Sequence, residues 1–196
     1  MLKKLTTLLF LIIPVLAIYA QRDIPFDGTV YTDIEKALKE PEKVRFLDLS
    51  KQKLKEIPAG VFELTNLEYL VLFKNKITVI PPEIGTLKKL RVMDISRNKI
   101  EVVPPEIGEL TELRTLILNQ NLIAALPPEI GNLKNLKSLD LWGNEIDELP
   151  VEISKLQETL EYLDLRVIYM SFEKQEAIIN LLPETDIYFS NGCNCN

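Results

Sequence analysis

The chain has 196 residues, 46% of them hydrophobic and 27% charged, the balance of a globular domain large enough to bury a core. Its 23 basic and 29 acidic residues give a formal net charge of −6, which disfavours a nucleic-acid partner. It has no histidine, which removes imidazole triads, the usual general base near neutral pH and the commonest metal ligand.

Residues 1–20 read as a signal peptide. The basic "MLKK" precedes the apolar "LTTLLFLIIPVLA", which is short for a bilayer span and suits a secretory h-region, and Ala20 offers a cleavage position. No cysteine stands directly after the apolar region, which argues against a lipid anchor. Cleavage would place the remainder outside the cytoplasm (secreted, periplasmic or at the cell surface) with no integral membrane span. An uncleaved anchor is the alternative. Residues 21–43 are expected to cap the front of the fold. In "YTDIEKALKEP", Thr32 and Glu35 have capping-box spacing, Ile34 and Leu38 share one helical face, and Pro41 is a stop signal.

From 44 to 167 the chain is periodic. Leu67, Leu90, Leu113 and Leu136 recur every 23 residues, with Val44 one period earlier. Leu160 follows one residue late, the extra residue falling in "QET" at 157–159. Segments such as "LEYLVL" and "LRTLIL" alternate in and out as strands do. The prolines of "IPPEIGTLKKL", "VPPEIGELTEL" and "LPPEIGNLKNL" remove backbone donors and forbid an interior helical turn there. Each unit is therefore a strand, a turn and a proline-led return, and none can bury its apolar face without neighbours. The expected fold class is α/β: a solenoid with a parallel sheet on the concave face and irregular or 3₁₀ segments on the convex face.

The pattern L-x-x-L-x-L-x-x-N-x-I, written as "LEYLVLFKNKI", "LRVMDISRNKI", "LRTLILNQNLI" and "LKSLDLWGNEI", resembles the leucine-rich repeat. The 23-residue form ending L-P-x-E-I-x-x-L is similar to repeats of secreted bacterial leucine-rich repeat proteins and of the Ras-suppressor-like group. The resemblance implies a stacked ladder of Asn75, Asn98, Asn121 and Asn144, whose amides satisfy buried turn backbone. Gln52 in the first unit and Ile168 in the last mark where such a ladder would begin and stop.

Residues 168–196 are expected to form the rear cap and a tail. Ser171 opens "SFEKQEAIINLLP", a helix turning Ile178, Leu181 and Leu182 inward and ending at Pro183; "DIYF" then adds a strand through Ile187 and Phe189. Cys193 and Cys195 are too close for an unstrained bridge and too few for a closed zinc site in a monomer, so a flexible tail with accessory or intermolecular cysteines is expected, with a redox or metal role as the alternative. No metal and no cofactor is implied.

Parallel sheets are normally covered on both faces, and here no segment remains to cover the outward one. Its third, fifth and seventh positions place Phe46, Tyr69, Val71 and Phe73 in one patch, with Ile117, Trp142 and Tyr162 farther along. Clustered exposed aromatics are the residues that anchor interfaces. Position eight supplies a short basic lane of Lys51, Lys74 and Arg97. These ten residues are the expected partner-binding set, for another protein, in a binding module that is not an enzyme. The alternative is a glycan-binding surface, with Trp142 and Tyr162 as stacking platforms. A hydrolase using Asp140 and Asp164, on neighbouring strands near the roughly 5 Å of retaining glycosidases, is the third reading. It is discounted on two expectations: Arg166 and Lys137 neutralise the pair, and a shallow sheet has no walls to raise a carboxyl pKa.

Overall fold

The computed structural model describes residues 28–190. The predicted signal peptide and the Cys193–Cys195 tail lie outside the described residues. Six repeat units each contribute one short strand: β2 (Phe46–Asp48), β3 (Tyr69–Val71), β4 (Val92–Asp94), β5 (Thr115–Ile117), β6 (Ser138–Asp140) and β7 (Tyr162–Leu165). With β1 (Val30–Tyr31) in front and β8 (Asp186–Phe189) behind, they form an eight-stranded sheet in sequential order, every neighbouring pair parallel. One period of sequence advances the chain by one strand. Leu47, Leu70, Met93, Leu116, Leu139 and Leu163 consequently stand in register, all 0% exposed.

The return segments are 3₁₀ turns, for the reason the prolines give. At Pro82–Thr86 the first proline caps and the second opens the turn; the Ile84 amide donates to Pro81 O at 3.0 Å and the Leu87 amide to Ile84 O at 3.1 Å. Pro105–Glu109 and Pro128–Asn132 repeat this arrangement. Their isoleucines and the following leucines are fully buried, so one apolar core runs the length of the solenoid. Adjacent coils touch closely here. A Cβ on Gly108 would lie 2.5 Å from the Glu129 carbonyl oxygen, and one on Gly131 would meet the Glu152 carbonyl oxygen in the same way.

The asparagine ladder forms as the resemblance implied. Each Oδ1 accepts a backbone amide of the preceding coil, from Leu54 to Asn75, Ile77 to Asn98, Ile100 to Asn121 and Ile123 to Asn144, at 3.0–3.2 Å. Each Nδ2 donates back to carbonyls of its own and the preceding coil; that of Asn121 reaches Leu118 O at 2.8 Å and Ile95 O at 3.1 Å. At the front, Gln52 Nε2 donates to Thr32 O at 2.9 Å instead.

The front cap departs from its expected form. Helix α1 (Ile34–Ala37) is capped by Asp33, whose carboxylate accepts the Lys36 amide at 3.1 Å, and not by Thr32 with Glu35. Asp33 precedes the first helical residue directly and so holds the capping position. Pro41 opens a 3₁₀ turn of its own, Pro41–Lys43. The rear cap follows its pattern. Ser171 Oγ accepts the Lys174 amide at the start of α2 (Phe172–Leu181), Ile178 and Leu182 are buried, and Ile187 and Phe189 turn toward the core from β8. No helix among the described residues is long and apolar enough to cross a membrane.

Candidate binding face

The open face of the sheet presents two rows in direct register. Phe46, Tyr69, Val92, Thr115, Ser138 and Tyr162 form one; Asp48, Val71, Asp94, Ile117, Asp140 and Asp164 form the other. In the front half the side chains close over one another. Phe46 (3% exposed), Tyr69 (1%), Val71 (0%) and Val92 (2%) make a second apolar cluster, with Phe73 half-buried against it. The Phe46 and Tyr69 rings stack with centroids 5.2 Å apart and planes 21° apart. The expectation of an exposed aromatic patch is thereby corrected for Phe46, Tyr69 and Val71, and for Ile117, which is buried between Asp94 and Asp140. Strands ~4.8 Å apart are closer than an aromatic ring is wide, so neighbours in a row cover each other. Phe73, Trp142 and Tyr162 remain half-buried, with part of each side chain open to a partner.

The rear half is polar and tightly bonded. Asp140 Oδ2 accepts Asn119 Nδ2 at 2.6 Å, and its Oδ1 accepts the Trp142 amide at 3.1 Å. Asp164 is buried and gripped by Arg166, with Nε 2.9 Å from Oδ1 and Nη2 2.5 Å from Oδ2; Tyr162 OH also donates to Oδ2, at 2.9 Å. Lys137, expected beside this pair, bonds Glu161 at 2.8 Å instead. The shallow-sheet expectation also fails at Asp140. Burial pushes its carboxyl from 3.8 up to about 6, against the pull of the Asn119 and Trp142 hydrogen bonds. Burial raises the Asp94 carboxyl as well, partly offset by the Ser96 side chain and amide. Both oxygens of Asp140 and of Asp164 are engaged as acceptors, an arrangement that holds turns and side chains in place.

Two features escaped the sequence reading. Strand β8 brings Tyr188 onto this face, where its ring lies 5.1 Å from that of Tyr162 and 6.0 Å from the Arg166 guanidinium. Position eight is also conformationally special. Lys51, Lys74, Arg97, Gln120 and Val167 all have φ between 53° and 60°, and Gly143 has φ 67°. A left-handed turn is needed there to swing the chain out of the strand and aim the next side chain, the ladder asparagine, inward. For a residue with a Cβ that conformation costs about 1 kcal/mol. Lys51 Nζ and Arg97 Cζ flank the Phe73 ring at 5.9 and 5.5 Å. Glycine at 143 was the one visible hint of this geometry. Among the described residues no cluster of three or more metal-ligating side chains occurs.

Comparison with known proteins gives this arrangement a family. The model of the leucine-rich repeat region matches residues 32–122 and 105–174. A leucine-rich repeat protein of Leptospira interrogans is 32% identical, with a TM-score of 0.66 over 83% of this chain and 48% of that one. Internalin C2 of Listeria monocytogenes shares the fold at 22% identity and TM-score 0.66, over 78% of this chain and 64% of its own. The plant peptide hormone receptor RGFR1, solved in complex with RGF2, is 35% identical with a TM-score of 0.62, over 73% of this chain and 24% of its own. The chain thus spans less than two thirds of each of these structures. No curated protein sequence matches. With its family model covering most of the chain and its sheet stacked one coil per 23 residues, the protein belongs to the leucine-rich repeat family.

Proposed function

We propose that this protein is a binding module that recognises another protein through its concave sheet. The observation that carries the reading is the sheet face itself: no described segment covers it, yet its front half is built of closely fitted apolar side chains. Phe46, Tyr69, Val71 and Ile117 supply a rigid floor. Phe73, Trp142 and Tyr162 are the accessible anchors, and Lys51, Lys74 and Arg97 line the edge. A rigid floor lowers the ordering cost of association, and half-exposed aromatics are the side chains whose truncation costs most at interfaces. The plant peptide hormone receptor RGFR1, which this chain resembles over 24% of the receptor's length, is solved in complex with RGF2 and supports the reading as a relative with a bound partner.

The segment 1–20 supports placing the module outside the cytoplasm. N-terminal sequencing of the exported protein should then start at Gln21, and Met1 on a cytoplasmic protein would refute the placement. For the binding reading, residues 21–196 are used to capture partners from the native envelope and from host extracts. Phe73→Ala with Trp142→Ala should weaken capture by roughly 2 kcal/mol or more, while Asp140→Asn leaves it intact. Retention on a carbohydrate array that depends on Trp142 alone would favour a glycan instead. A hydrolysis abolished by Asp140→Asn would replace binding with catalysis.

A further inference from the structure

The positions on either side of the asparagine ladder carry a charge pattern that begins with the Lys51, Lys74 and Arg97 edge of the sheet and extends beyond it. In the first three coils position eight is Lys51, Lys74 and Arg97, and position ten is Lys53, Lys76 and Lys99. The asparagine or glutamine between them turns away or inward, so both columns stand at the rim. All six side chains are exposed, and none forms an ion pair with a described residue. Of the other described cations, Lys43, Arg45, Lys88, Arg91, Lys137, Arg166 and Lys174 face a carboxylate, while Lys36, Lys39, Lys55, Lys89, Arg114, Lys134 and Lys155 form no ion pair either; what sets the six apart is their place at two repeat positions of three consecutive coils. The pattern stops abruptly. The same two positions hold Gln120 and Leu122 in the next coil, then Gly143 and Glu145, with Asp147 and Glu148 just beyond. Glu56 and Glu101 are exposed and form no ion pair with any of the six.

The cations also occupy costly places. Lys51, Lys74 and Arg97 sit at positive φ, where glycine would be easier and where Gly143 shows that the fold accepts it, and Lys53 at position ten has φ 60° as well. Apolar surface flanks the columns on both sides. Phe73 lies between Lys51 and Arg97 on the sheet side, and Val79 (61% exposed) and Val102 (68%) bridge neighbouring coils on the outer side.

We propose that this rim binds a short acidic polypeptide segment of the partner, one whose carboxylates alternate with apolar side chains. The inference rests on the protein-binding reading above and adds the chemistry of what is bound. Three coils at ~4.8 Å span about 10 Å, the length of roughly three extended residues, which the long lysine stems widen by another few. Length decides against a larger anionic partner. A lipid surface or a long polyanion lying along the rim would meet Glu145, Asp147 and Glu148 about 10 Å past Arg97, within a Debye length at 0.1 M salt. The flanking Phe73, Val79 and Val102 have no counterpart on a sulfated polysaccharide, whereas a polypeptide supplies one.

The probe is a fluorescent eight-residue peptide with four glutamates and two leucines, titrated against the protein by anisotropy. Lys74→Gln, Lys76→Gln, Arg97→Gln and Lys99→Gln are combined in one variant. The control makes the same charge change elsewhere, with Lys36→Gln, Lys39→Gln, Lys134→Gln and Lys155→Gln. Gln120 already adopts the left-handed turn, so glutamine suits the position, and an unchanged melting temperature verifies folding. The rim variant should lose at least tenfold in affinity while the control loses less than twofold, and added salt should weaken the wild type. Equal losses in both variants, no binding by the wild type, or tighter binding to heparin or phosphatidylserine vesicles would overturn the proposal. The concave-sheet reading fails separately, by partner capture that survives Phe73→Ala with Trp142→Ala.

Discussion

Asn98 accepts the backbone amide of Ile77, a residue of the preceding coil, at 3.0 Å, and so ties one repeat to the next through a side chain that water does not reach freely. Its Nδ2 returns the link by donating to Leu72 O at 3.0 Å and Ile95 O at 2.9 Å. Every interior coil is closed in this way, which makes the ladder a structural device whose removal leaves unpaired turn backbone.

Asn98→Ala and Asn121→Ala should therefore each cost on the order of 1–3 kcal/mol in urea denaturation. Gln52→Ala should cost less, because its single bond to Thr32 O is exposed. Negligible and equal losses at all three positions would show that the amides do not carry the turns.

Burial separates two aromatic neighbours that look alike in the sequence. Tyr69 is 1% exposed and stacked on Phe46, so Tyr69→Ala should destabilise the fold by about 2–4 kcal/mol. Half-buried Phe73 should cost clearly less. Differential scanning calorimetry of the two variants decides it; similar melting temperatures would mean that the front cluster relaxes around the lost ring.

Coil contact at the return turns gives an asymmetric glycine effect. Gly131→Ala drives a methyl against backbone, the Glu152 carbonyl, and should cost about 1–3 kcal/mol. Gly85→Ala meets chiefly the carboxylate end of Glu109, which can swing aside, and should cost less. A Gly85 variant at least as unstable as the Gly131 variant would contradict this packing.

Asp140 makes stability depend on pH in a direction opposite to that of a salt-bridged carboxylate. Its folded value, about 6, lies above its ordinary 3.8, because burial disfavours the charge. The stabilisation it lends is complete below about pH 4 and is lost as pH rises through about 6. Relative to Asp140→Asn, the wild type should lose on the order of 2 kcal/mol of stability between pH 4 and pH 7. Parallel denaturation profiles for the two proteins across that window would refute the raised value.

Much of the architecture was written in one dimension because a solenoid uses only contacts one period apart. The 23-residue spacing of Leu67, Leu90, Leu113 and Leu136 set the strand register, the facing prolines set the 3₁₀ returns, and Asn75 to Asn144 set the ladder. Ser171, Ile187 and Phe189 announced the rear cap through local signals alone. Other properties depended on what neighbouring coils place around a side chain. Phe46, Tyr69, Val71 and Ile117 alternate outward like any exposed strand residues, and only lateral packing of adjacent rows buries them. Asp140 and Asp164 read as equivalent, yet one meets Asn119 and the other Arg166, which is decided by the side chains of different strands. The left-handed turns under Lys51, Lys74 and Arg97 were hidden as well, since lysine and arginine carry no preference for positive φ. Sequence period fixed which residues become neighbours, while exposure, charge state and turn conformation followed from the volumes and dipoles those neighbours bring within a few ångströms.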